Sequence, residues 1–371
     1  MVGILSIGWW VPRGRRSAAE IAEDYGIALD AVERYGLHSK TVPDADDHPS
    51  SMGARATRRA LECAGLGLDD LDLLLFAGAT RDWPAPWVAA FGVLHELGAR
   101  HTAGLDLANR CAGLIDALWL AKLLVESGTH RTVAVCSADR YDHLLSPRYG
   151  ALELVNHVVY GAGAATAIVS ADAANHIAAY SQIAYSDLSA HAANGPIAGG
   201  TRRPVDEAAI ADRLHRWHSR LSIGQTRKVA EYSGEADRHN YRRLFAQTGW
   251  DGMDFVACSH ELGQVTGLAP GIPASQLEVL RELGISEGAT ALTIPHLGHI
   301  GPADLLLSLG AATAVGRKVG PRVAMSMRTP VYSNALAISA RGDDLAIRTA
   351  GDGIDVTLWA TPEQAGPGGS P

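Results

Sequence analysis

Short apolar runs alternate along the first half of the chain with segments whose apolar residues recur at helical spacing. Residues 4–11 and 71–77 are apolar runs of the kind that buried strands show. Ser17, followed by Glu20, predicts a capped helix over 17–35. The pattern also predicts strands at 103–107, 132–137 and 164–169, and helices at 52–64, 83–97 and 111–127. This alternation indicates an α/β fold.

The second half also alternates predicted strands and helices, and a long polar segment interrupts it. Residues 186–238 are polar and contain a basic amphipathic stretch at 208–221. We interpret this segment either as a lid or acceptor-site insertion or, at 208–221, as a solvated surface helix. Strands are predicted at 177–185, 255–258, 323–327 and 336–339, and helices at 241–248, 274–283 and 302–315. The two similar halves predict domains at 1–172 and 173–360, and a disordered Pro/Gly-rich tail at 361–371.

Composition and charge narrow the class of protein. With 371 residues, 47% of them apolar and 19% charged, the chain can fill a large core, which excludes a mostly disordered protein. The net charge of −8 argues against a nucleic-acid binder, because such proteins present a basic surface. No run of about 18 apolar residues is present to span a bilayer, and the N-terminus lacks a basic leader. We therefore expect a cytoplasmic protein whose partners are neither nucleic acid nor membrane.

One cysteine stands apart from the other three. The four lie far apart without a C-x-x-C pair, which is typical of neither a disulfide framework nor a zinc ribbon: Cys63, Cys111, Cys136 and Cys258. Cys111 follows a predicted strand and a tight turn and opens a helix that is apolar nearly all round. A thiol there meets unpaired N–H groups and the positive end of the helix dipole, which favour the thiolate. The alternative is an inert core cysteine, as we expect for the others.

Two histidines follow predicted elements at positions suited to catalysis. His260 comes just after the strand at 255–258, where α/β sheets place ligand crevices. It is a candidate acid or base, or a hydrogen-bond donor to a thioester carbonyl, with a structural role as the alternative. His299 lies in a Gly-flanked loop before a predicted helix, with Asp304 in the first turn of that helix. Asp304 either orients the imidazole or only caps the helix, and both interpretations remain open.

Two other motifs do not indicate a bound group. His296 and His299 are three residues apart, but no third ligand stands at a suitable spacing, so we expect no zinc site. The sequence Gly-Ala-Gly at 161–163 is not a phosphate loop, because a strand is predicted where that loop requires a helix. We expect neither a metal nor a cofactor.

These elements, in this order, resemble the ketoacyl-ACP synthase III family. Residues 106–113, Asp-Leu-Ala-Asn-Arg-Cys-Ala-Gly, are similar to the family's Asp-x-x-x-x-Cys-x-Gly stretch. Residues 79–84, Ala-Thr-Arg-Asp-Trp-Pro, match its loop after the second core strand, and 160–165, Tyr-Gly-Ala-Gly-Ala-Ala, resemble its Phe-Gly-Asp-Gly-Ala. Residues 258–261, Cys-Ser-His-Glu, stand where the family has His-Gln. The resemblance covers about 4–339 and implies a thiolase-like, five-layer αβαβα fold of two related halves.

The resemblance also implies roles for single residues. Cys111 would hold an acyl group as a thioester, with His260 as one of two partners at the reaction centre. Where the family has Asn in Gly-Asn-Thr-Ser, this chain has Gly-His-Ile-Gly, so His299 replaces the Asn. The closing segment at 328–334, Arg-Thr-Pro-Val-Tyr-Ser-Asn, departs from the family's Gly-rich oxyanion stretch, which leaves the Cys111 amide as the donor. The family further implies a homodimer.

Histidine in place of asparagine bears on the reaction. An alcohol or amine acceptor needs a base to remove its proton, and a histidine backed by Asp304 suits that task. The pattern resembles the offshoot of the family in antibiotic and polyketide pathways, which moves acyl groups onto sugars, aminocyclitols or carrier proteins. We therefore predict an acyltransferase in which Cys111 takes the acyl group and His299, assisted by His260, activates a small-molecule hydroxyl or amine.

Two alternatives and the choice of donor stay open. Elongating ketosynthases of the same fold use Cys with two His and still condense, so a starter-unit ketosynthase acting on malonyl-carrier protein is one alternative. A non-catalytic partner subunit of a ketosynthase heterodimer is the other, because of the altered segment at 328–334. The acyl donor is expected to be acyl-CoA or an acyl-carrier protein, and arginines of 186–238 could meet the phosphates of the first or the acidic face of the second.

Overall fold

Two large β-sheets, with helices between and outside them, dominate the described part of the chain, and two short two-stranded sheets accompany them. The structure is a computed structural model that describes residues 1–33, 36–83, 86–142, 159–186, 195–196, 217–218, 223–258, 276–285, 293–329 and 332–356. Its strands are β1 (Gly3–Trp10), β2 (Gly14–Ser17), β3 (Ser39–Val42), β4 (Leu73–Phe76), β5 (Ala103–Asp106), β6 (Thr132–Arg140), β7 (Ala162–Ser170), β8 (Asn175–Ala184), β9 (Gly195–Pro196), β10 (Trp217–His218), β11 (Phe255–Cys258), β12 (Arg322–Thr329), β13 (Tyr332–Ala340) and β14 (Arg348–Asp352). Its helices are α1 (Ala18–Tyr25), α2 (Leu29–Glu33), α3 (Pro49–Ala64), α4 (Ala89–Leu97), α5 (Gly113–Glu126), α6 (Ile223–Thr248), α7 (Gln276–Glu282), α8 (Ile294–Leu297) and α9 (Ala303–Ala314).

The first sheet has six strands, in the order β14-β1-β7-β6-β4-β5. Strand β4, next to the edge strand β5, lies parallel to β5 and β6, and all four of its residues are buried. Leu74 and Phe76 pack against α3 and α4, whereas Leu73 and Leu75 point to the other face, against α5. A strand covered on both faces is apolar at every position, which is why residues 73–76 are all apolar rather than alternating.

The second sheet has four strands, in the order β11-β12-β13-β8. β11 is parallel to β12, and the other two pairings are antiparallel. One face packs against α6 and α7, through Tyr241, Leu244 and Leu280 among others. The opposite face carries Phe255 and Met325 into the central core. Both faces are therefore covered by helices, as in the first sheet.

The helices α5 and α9 lie between the two sheets. Their apolar side chains join the inner faces of both sheets in one continuous core. With α3 and α4 outside the first sheet and α6 and α7 outside the second, the layers run helix, sheet, helix, sheet, helix. The expected five-layer αβαβα arrangement is confirmed. The division into 1–172 and 173–360 stays a prediction, and β14, from the second of these ranges, pairs in parallel with β1 of the first sheet.

The predicted helix over 17–35 has the right start and the wrong end. The hydroxyl of Ser17 accepts the N–H of Glu20 and caps α1, and the carboxylate of Glu20 accepts the N–H of Ser17, as the sequence indicated. The helix stops at Tyr25 because Gly26 adopts a left-handed φ of 62° and terminates it, and the chain restarts in α2.

Other sequence predictions need correction or lie outside the described ranges. The helix predicted over 83–97 begins only at Ala89. Within 208–221, Trp217 and His218 form the short strand β10 rather than a helix, and the rest of that stretch lies outside the described residues, as does the tail at 361–371. Across the described ranges, no helix combines the length and the apolar character needed to cross a membrane.

Candidate active site

Cys111 lies at the junction between the first sheet and the central helix α5. β5 ends at Asp106, whose carboxylate accepts two backbone N–H bonds from the start of α4, at 3.0 and 2.9 Å. The chain then passes through a single 3₁₀ turn, Arg110–Ala112, before α5 begins at Gly113. The helix predicted over 111–127 therefore starts two residues late, and Cys111 belongs to the turn that leads into it.

The backbone at this turn is strained. Arg110 has a φ of 52°, a left-handed conformation that residues with a Cβ rarely adopt, and it is the only non-glycine with positive φ in the described part of the chain. The turn leaves Cys111 half-buried at the edge of the central core. An inert core cysteine would be fully buried, as Cys136 is, whereas Cys111 keeps part of its surface exposed.

His299 comes from a loop between α8 and α9 that is bonded on both sides. Its N–H donates to the carbonyl of Val159 at 2.6 Å, and its carbonyl accepts from the N–H of Gly161 at 3.0 Å. Gly298 has a φ of 74°, and a Cβ there would lie 2.7 Å from the Val159 carbonyl oxygen, so only glycine fits this close approach. Gly161, the first residue of the Gly-Ala-Gly stretch at 161–163, thus helps to hold the loop that carries His299.

The side chain of His299 contacts Cys111 on one side and Asp304 on the other. Nε2 of His299 lies 3.5 Å from Sγ of Cys111, and Nδ1 lies 2.5 Å from Oδ2 of Asp304. The second carboxylate oxygen of Asp304 accepts the N–H of Ile300 at 2.8 Å. His299 and Asp304 are each 1% exposed, so their contact is shielded from water. Asp304 therefore orients the imidazole and is not merely a helix cap.

Electrostatics hold a proton on the imidazole. Burial by itself would lower the pKa of His299, but the charge and hydrogen bond of Asp304, together with Cys111, raise it to about 10. At neutral pH His299 is therefore an imidazolium, which donates from both nitrogens. The site thus holds a buried positive charge between a carboxylate and the sulfur.

Tyr160 packs against His299, and Tyr141 packs against Tyr160 in turn. The ring of Tyr160 lies 5.2 Å from that of His299 and 4.6 Å from that of Tyr141, between centroids. Burial raises the pKa of both hydroxyls, so both stay neutral at physiological pH. Sequence reasoning noted Tyr160 only as part of a family motif, and the aromatic wall that it forms depends on a pairing between distant segments.

The other sequence candidates lie elsewhere or outside the described residues. His260 follows β11 directly and is not among the described residues, so its assistance in the reaction stays a prediction. Burial raises the pKa of Cys136 to about 11 and also raises that of the half-buried Cys63. Cys258 lies in β11, as the apolar pattern predicted.

Metal binding finds little support in the part of the chain that the structure describes. No group of three or more His, Cys, Asp or Glu side chains there could hold an ion. His296 packs against His38, with ring centroids 5.2 Å apart, and burial lowers its pKa. The expectation that the protein needs no metal stays a prediction.

A third element reaches the cysteine turn from the second sheet. Asn334, at the end of the segment that departs from the family pattern, donates to the carbonyl oxygen of Ala112 at 2.9 Å and to Asp116 at 2.6 Å. Sequence reasoning missed both partners. Asp116 was an available signal, because it interrupts an apolar helix five residues after Cys111.

Comparison with known proteins agrees with this geometry. A sequence model of the 3-oxoacyl-[acyl-carrier-protein (ACP)] synthase III family matches residues 105–186, which contain Cys111. A beta-ketoacyl-[acyl-carrier-protein] synthase III of Sulfurovum sp. is 27% identical over 208 residues, which are 54% of this chain and 60% of the relative. One of Streptomyces lividans is 32% identical over 167 residues, 45% of this chain and 48% of the relative. Over about half of its length, the chain is similar to ketoacyl synthases III.

Solved structures extend this ketoacyl synthase III likeness to the whole fold. The 3-oxoacyl-(acyl carrier protein) synthase III of Pseudomonas aeruginosa superposes with a TM-score of 0.73 at 16% identity, covering 92% of this chain and 99% of the other. A variant of Xanthomonas campestris OleA gives 0.73 at 17% identity, covering 91% and 98%. These likenesses show the thiolase-type fold that the sequence resemblance implied. By sequence, the chain spans 60%, 54% and 46% of three of the curated relatives that it matches.

Proposed function

We propose that this protein is an acyltransferase that carries an acyl group on Cys111 and passes it to a hydroxyl or an amine. The observation that carries the proposal is the continuous contact from Sγ of Cys111 to His299, at 3.5 Å, and from His299 to Asp304, at 2.5 Å. A nucleophile, a proton carrier and an orienting carboxylate in this order are what covalent acyl transfer uses.

In the resting site the proton belongs to His299. With a pKa of about 10, its imidazolium donates from Nδ1 to Asp304 and from Nε2 to the sulfur of Cys111. The proposal therefore assigns a thiolate to Cys111, stabilised by the adjacent cation. A thiolate is the nucleophilic form of cysteine.

Loading consumes that proton. The thiolate attacks the carbonyl carbon of the donor thioester, and the bond to the donor sulfur breaks. The leaving thiolate takes the Nε2 proton of His299, so that the products are an acyl thioester on Cys111, a free donor thiol and a neutral imidazole.

Transfer restores the proton. Acylation removes the negative charge and the hydrogen bond of Cys111, two of the influences that raise the pKa of His299. Their loss lowers the pKa of His299 after loading, and Nε2 of the neutral imidazole is then free to accept a proton from the acceptor. The acceptor oxygen or nitrogen attacks the thioester as its proton passes to Nε2, which returns Cys111 to the thiolate and His299 to the imidazolium.

The wider assignment of donor, acceptor and pathway follows from the sequence resemblance. We propose acyl-CoA or an acyl-carrier protein as donor and a small molecule of specialised antibiotic or polyketide metabolism as acceptor. Histidine at 299, where the family has asparagine, supports this. No cofactor is proposed, because the cysteine and the histidine together account for every bond and proton moved.

The first test follows the acyl group on the intact protein. Acyl-CoA and acyl-carrier protein donors are each added, and the mass of the protein is measured. We expect an adduct that the Cys136→Ala variant retains and the Cys111→Ala variant lacks. The loaded protein is then mixed with hydroxyl and amine acceptors, and loss of the adduct must match the ester or amide formed. No adduct with either donor would refute the proposal.

A starter-unit ketosynthase is the second candidate. It is favoured by the names of the curated relatives, which are beta-ketoacyl-[acyl-carrier-protein] synthases III. Such an enzyme would load Cys111 in the same way and then release carbon dioxide from malonyl-carrier protein. Carbon dioxide release equal to ketoacyl product, with no acyl transfer to any hydroxyl or amine, would establish it in place of the acyltransferase. A protein that does neither would be the non-catalytic partner subunit.

We also propose a homodimer, formed through the free edge of the first sheet. β5 is the last strand of that sheet among the described strands, and it carries Leu105, which is 52% exposed. Phe91, on the helix that packs over β5, is 56% exposed. An unpaired edge flanked by exposed apolar side chains favours pairing with a second copy. Light scattering should give twice the chain mass, and Leu105→Lys should reduce it to one.

A further inference from the structure

The turn that carries Cys111 is enclosed by a ring of hydrogen bonds. Asp116, one turn into α5, accepts from Nδ2 of Asn109 at 2.6 Å through one carboxylate oxygen and from Nδ2 of Asn334 at 2.6 Å through the other. Asn334 also donates to the carbonyl of Ala112 at 2.9 Å. Asn109 and Ala112 stand on either side of Arg110 and Cys111, so the ring closes around the two residues.

The ring is anchored in the second sheet. Asn334 belongs to β13 and is fully buried, and its two donor hydrogens both go to acceptors at the turn. Oδ1 of Asp116 also accepts the hydroxyls of Tyr180 and Tyr332, at 2.6 and 2.8 Å. Both tyrosines lie on strands of the same sheet. The turn at the end of the first sheet is thus held in place by residues of the second.

Inside the ring lies Arg110, the left-handed residue. A side chain with a Cβ disfavours this backbone by a free energy equivalent to about tenfold or more in population. Such a conformation persists only where the surroundings hold it. The bonds from Asn109 and Ala112, through Asp116 and Asn334, are contacts that could hold it.

We infer that Asn334 and Asp116 are positioning residues that clamp the strained turn at Arg110 and so keep Sγ of Cys111 against His299. This inference rests on the proposed function, since the clamp matters through the reactivity of Cys111. It also gives a role to the segment at 328–334, whose sequence departs from the family pattern at this place. A displacement of about 1 Å in such a contact is enough to cost roughly a hundredfold in rate.

The decisive experiment removes the clamp and then the strain. The readouts are the rate of iodoacetamide modification of the Cys111 peptide, the single-turnover rate of acyl loading, and the melting temperature. Asn334→Ala is expected to slow modification and loading roughly tenfold to a hundredfold, with kcat affected more than KM. Adding Arg110→Gly should recover most of this loss, because glycine adopts the left-handed backbone without strain.

A matched control separates backbone strain from the arginine side chain. Arg110→Ala removes the same guanidinium but keeps the Cβ, so in the Asn334→Ala background it should recover nothing. If Arg110→Gly fails to rescue, or if Arg110→Ala rescues equally, the clamp is refuted. Iodoacetamide modification does not depend on acyl transfer, so a protein that loads no acyl group would refute the proposed function while these rates still test the clamp.

A second variant covers the case in which Asn334→Ala does not fold. Asn334→Asp has nearly the same shape, but its ionised carboxylate can donate no hydrogen bond and faces the carboxylate of Asp116 and the carbonyl of Ala112. When protonated, it donates one. The modification rate of Cys111, relative to the native protein, should therefore fall as the pH rises through the titration of the new carboxyl. A ratio that stays constant with pH would overturn the inference.

Discussion

Cys111 and Cys136 both belong to the first half of the chain, and their surroundings differ in one decisive respect. Cys136 is fully buried in β6, and burial raises the pKa of its thiol to about 11. Cys111 is half-buried at the entrance to α5, and a buried imidazolium lies 3.5 Å from its sulfur. The comparison teaches that an apolar setting alone makes a cysteine inert, whereas a buried cation delivered from a distant segment provides the electrostatic support for a thiolate.

The largest expected effect on acyl transfer comes from removing Cys111, and the matched control removes Cys136. Cys111→Ala should abolish acyl loading and reduce transfer by roughly 10,000-fold or more, because no other thiol lies in contact with His299 among the described residues. Cys136→Ala should keep full loading and cost only about 1 kcal/mol of stability. Intact mass and urea unfolding measure the two effects. Loading that survives in Cys111→Ala would remove the basis of the comparison.

Removing the imidazolium of His299 is expected to reduce acyl transfer nearly as much as removing Cys111. His299→Asn installs the residue that the family has at this place and leaves no group to carry the proton. Transfer to a hydroxyl or amine should fall by roughly 100- to 10,000-fold. The rate of Cys111 modification at pH 7 should fall toward that of an ordinary exposed thiol. If the variant instead gained condensation with malonyl-carrier protein, residue 299 would be what separates the two reactions.

Asp304→Asn should make the imidazolium of His299 less stable but should leave the imidazole in place. Losing the charge of Asp304 lowers the pKa of His299, since that charge and its hydrogen bond are the main causes that raise it. The imidazolium then persists only to a lower pH, so Cys111 modification at pH 7 to 8 should slow by roughly tenfold to a hundredfold. A pH–rate profile identical to the native one would show that Asp304 has no electrostatic role.

The pairing of His299 with Asp304 also predicts how the free energy of unfolding depends on pH. The pKa of His299 rises from 6.5 in the unfolded chain to about 10 in the fold, so the folded state holds a proton that the unfolded state releases. This contribution is complete below pH 6.5 and is lost as the pH rises through 10. The difference in unfolding free energy between the native protein and His299→Asn should therefore shrink from pH 6 to pH 10. Urea titrations at three pH values measure it.

The smallest expected effect is on the pH dependence of stability, and it comes from Asp139, three residues after Cys136 on β6. Burial raises the pKa of this carboxyl to about 7, although hydrogen bonds from Thr80 and Ala79 oppose the rise. The folded state keeps a proton that the unfolded state loses above pH 3.8, so stability falls as the pH rises from 4 to 7. Asp139→Asn retains an acceptor oxygen for all three donors, the N–H groups of Ala79 and Thr80 and the hydroxyl of Thr80, and should flatten this fall. Unchanged unfolding curves would contradict it.

Much of the architecture was predictable from local patterns. The apolar run at 71–77 became the doubly covered strand β4, and the helix that is apolar nearly all round became the central helix α5. In both cases the pattern reports burial directly, because a segment that contacts helices or sheets on every side has no room for polar side chains. The Ser17 cap was predictable for the same local reason.

Other elements carry too little local signal. β14 is largely exposed and polar, so its role as an edge strand beside β1 depends on a partner more than 300 residues away in sequence. The helix α6 begins at Ile223, inside the polar segment interpreted as a lid or acceptor-site insertion, whereas the sequence predicted a helix only over 241–248. Weak hydrophobic patterning leaves such elements to be decided by packing against the rest of the fold.

At the site, the sequence by itself determined the inventory: a cysteine before an apolar helix, a histidine between two glycines, and an acid five residues on. Only the tertiary structure decided that His299 and Cys111, which are 188 positions apart, lie in contact. It also decided that Asn334 and Asp116 close around the strained turn. The physical reason is that distances between remote residues, and the burial that sets the charge of His299, arise when the two sheets pack on a shared core.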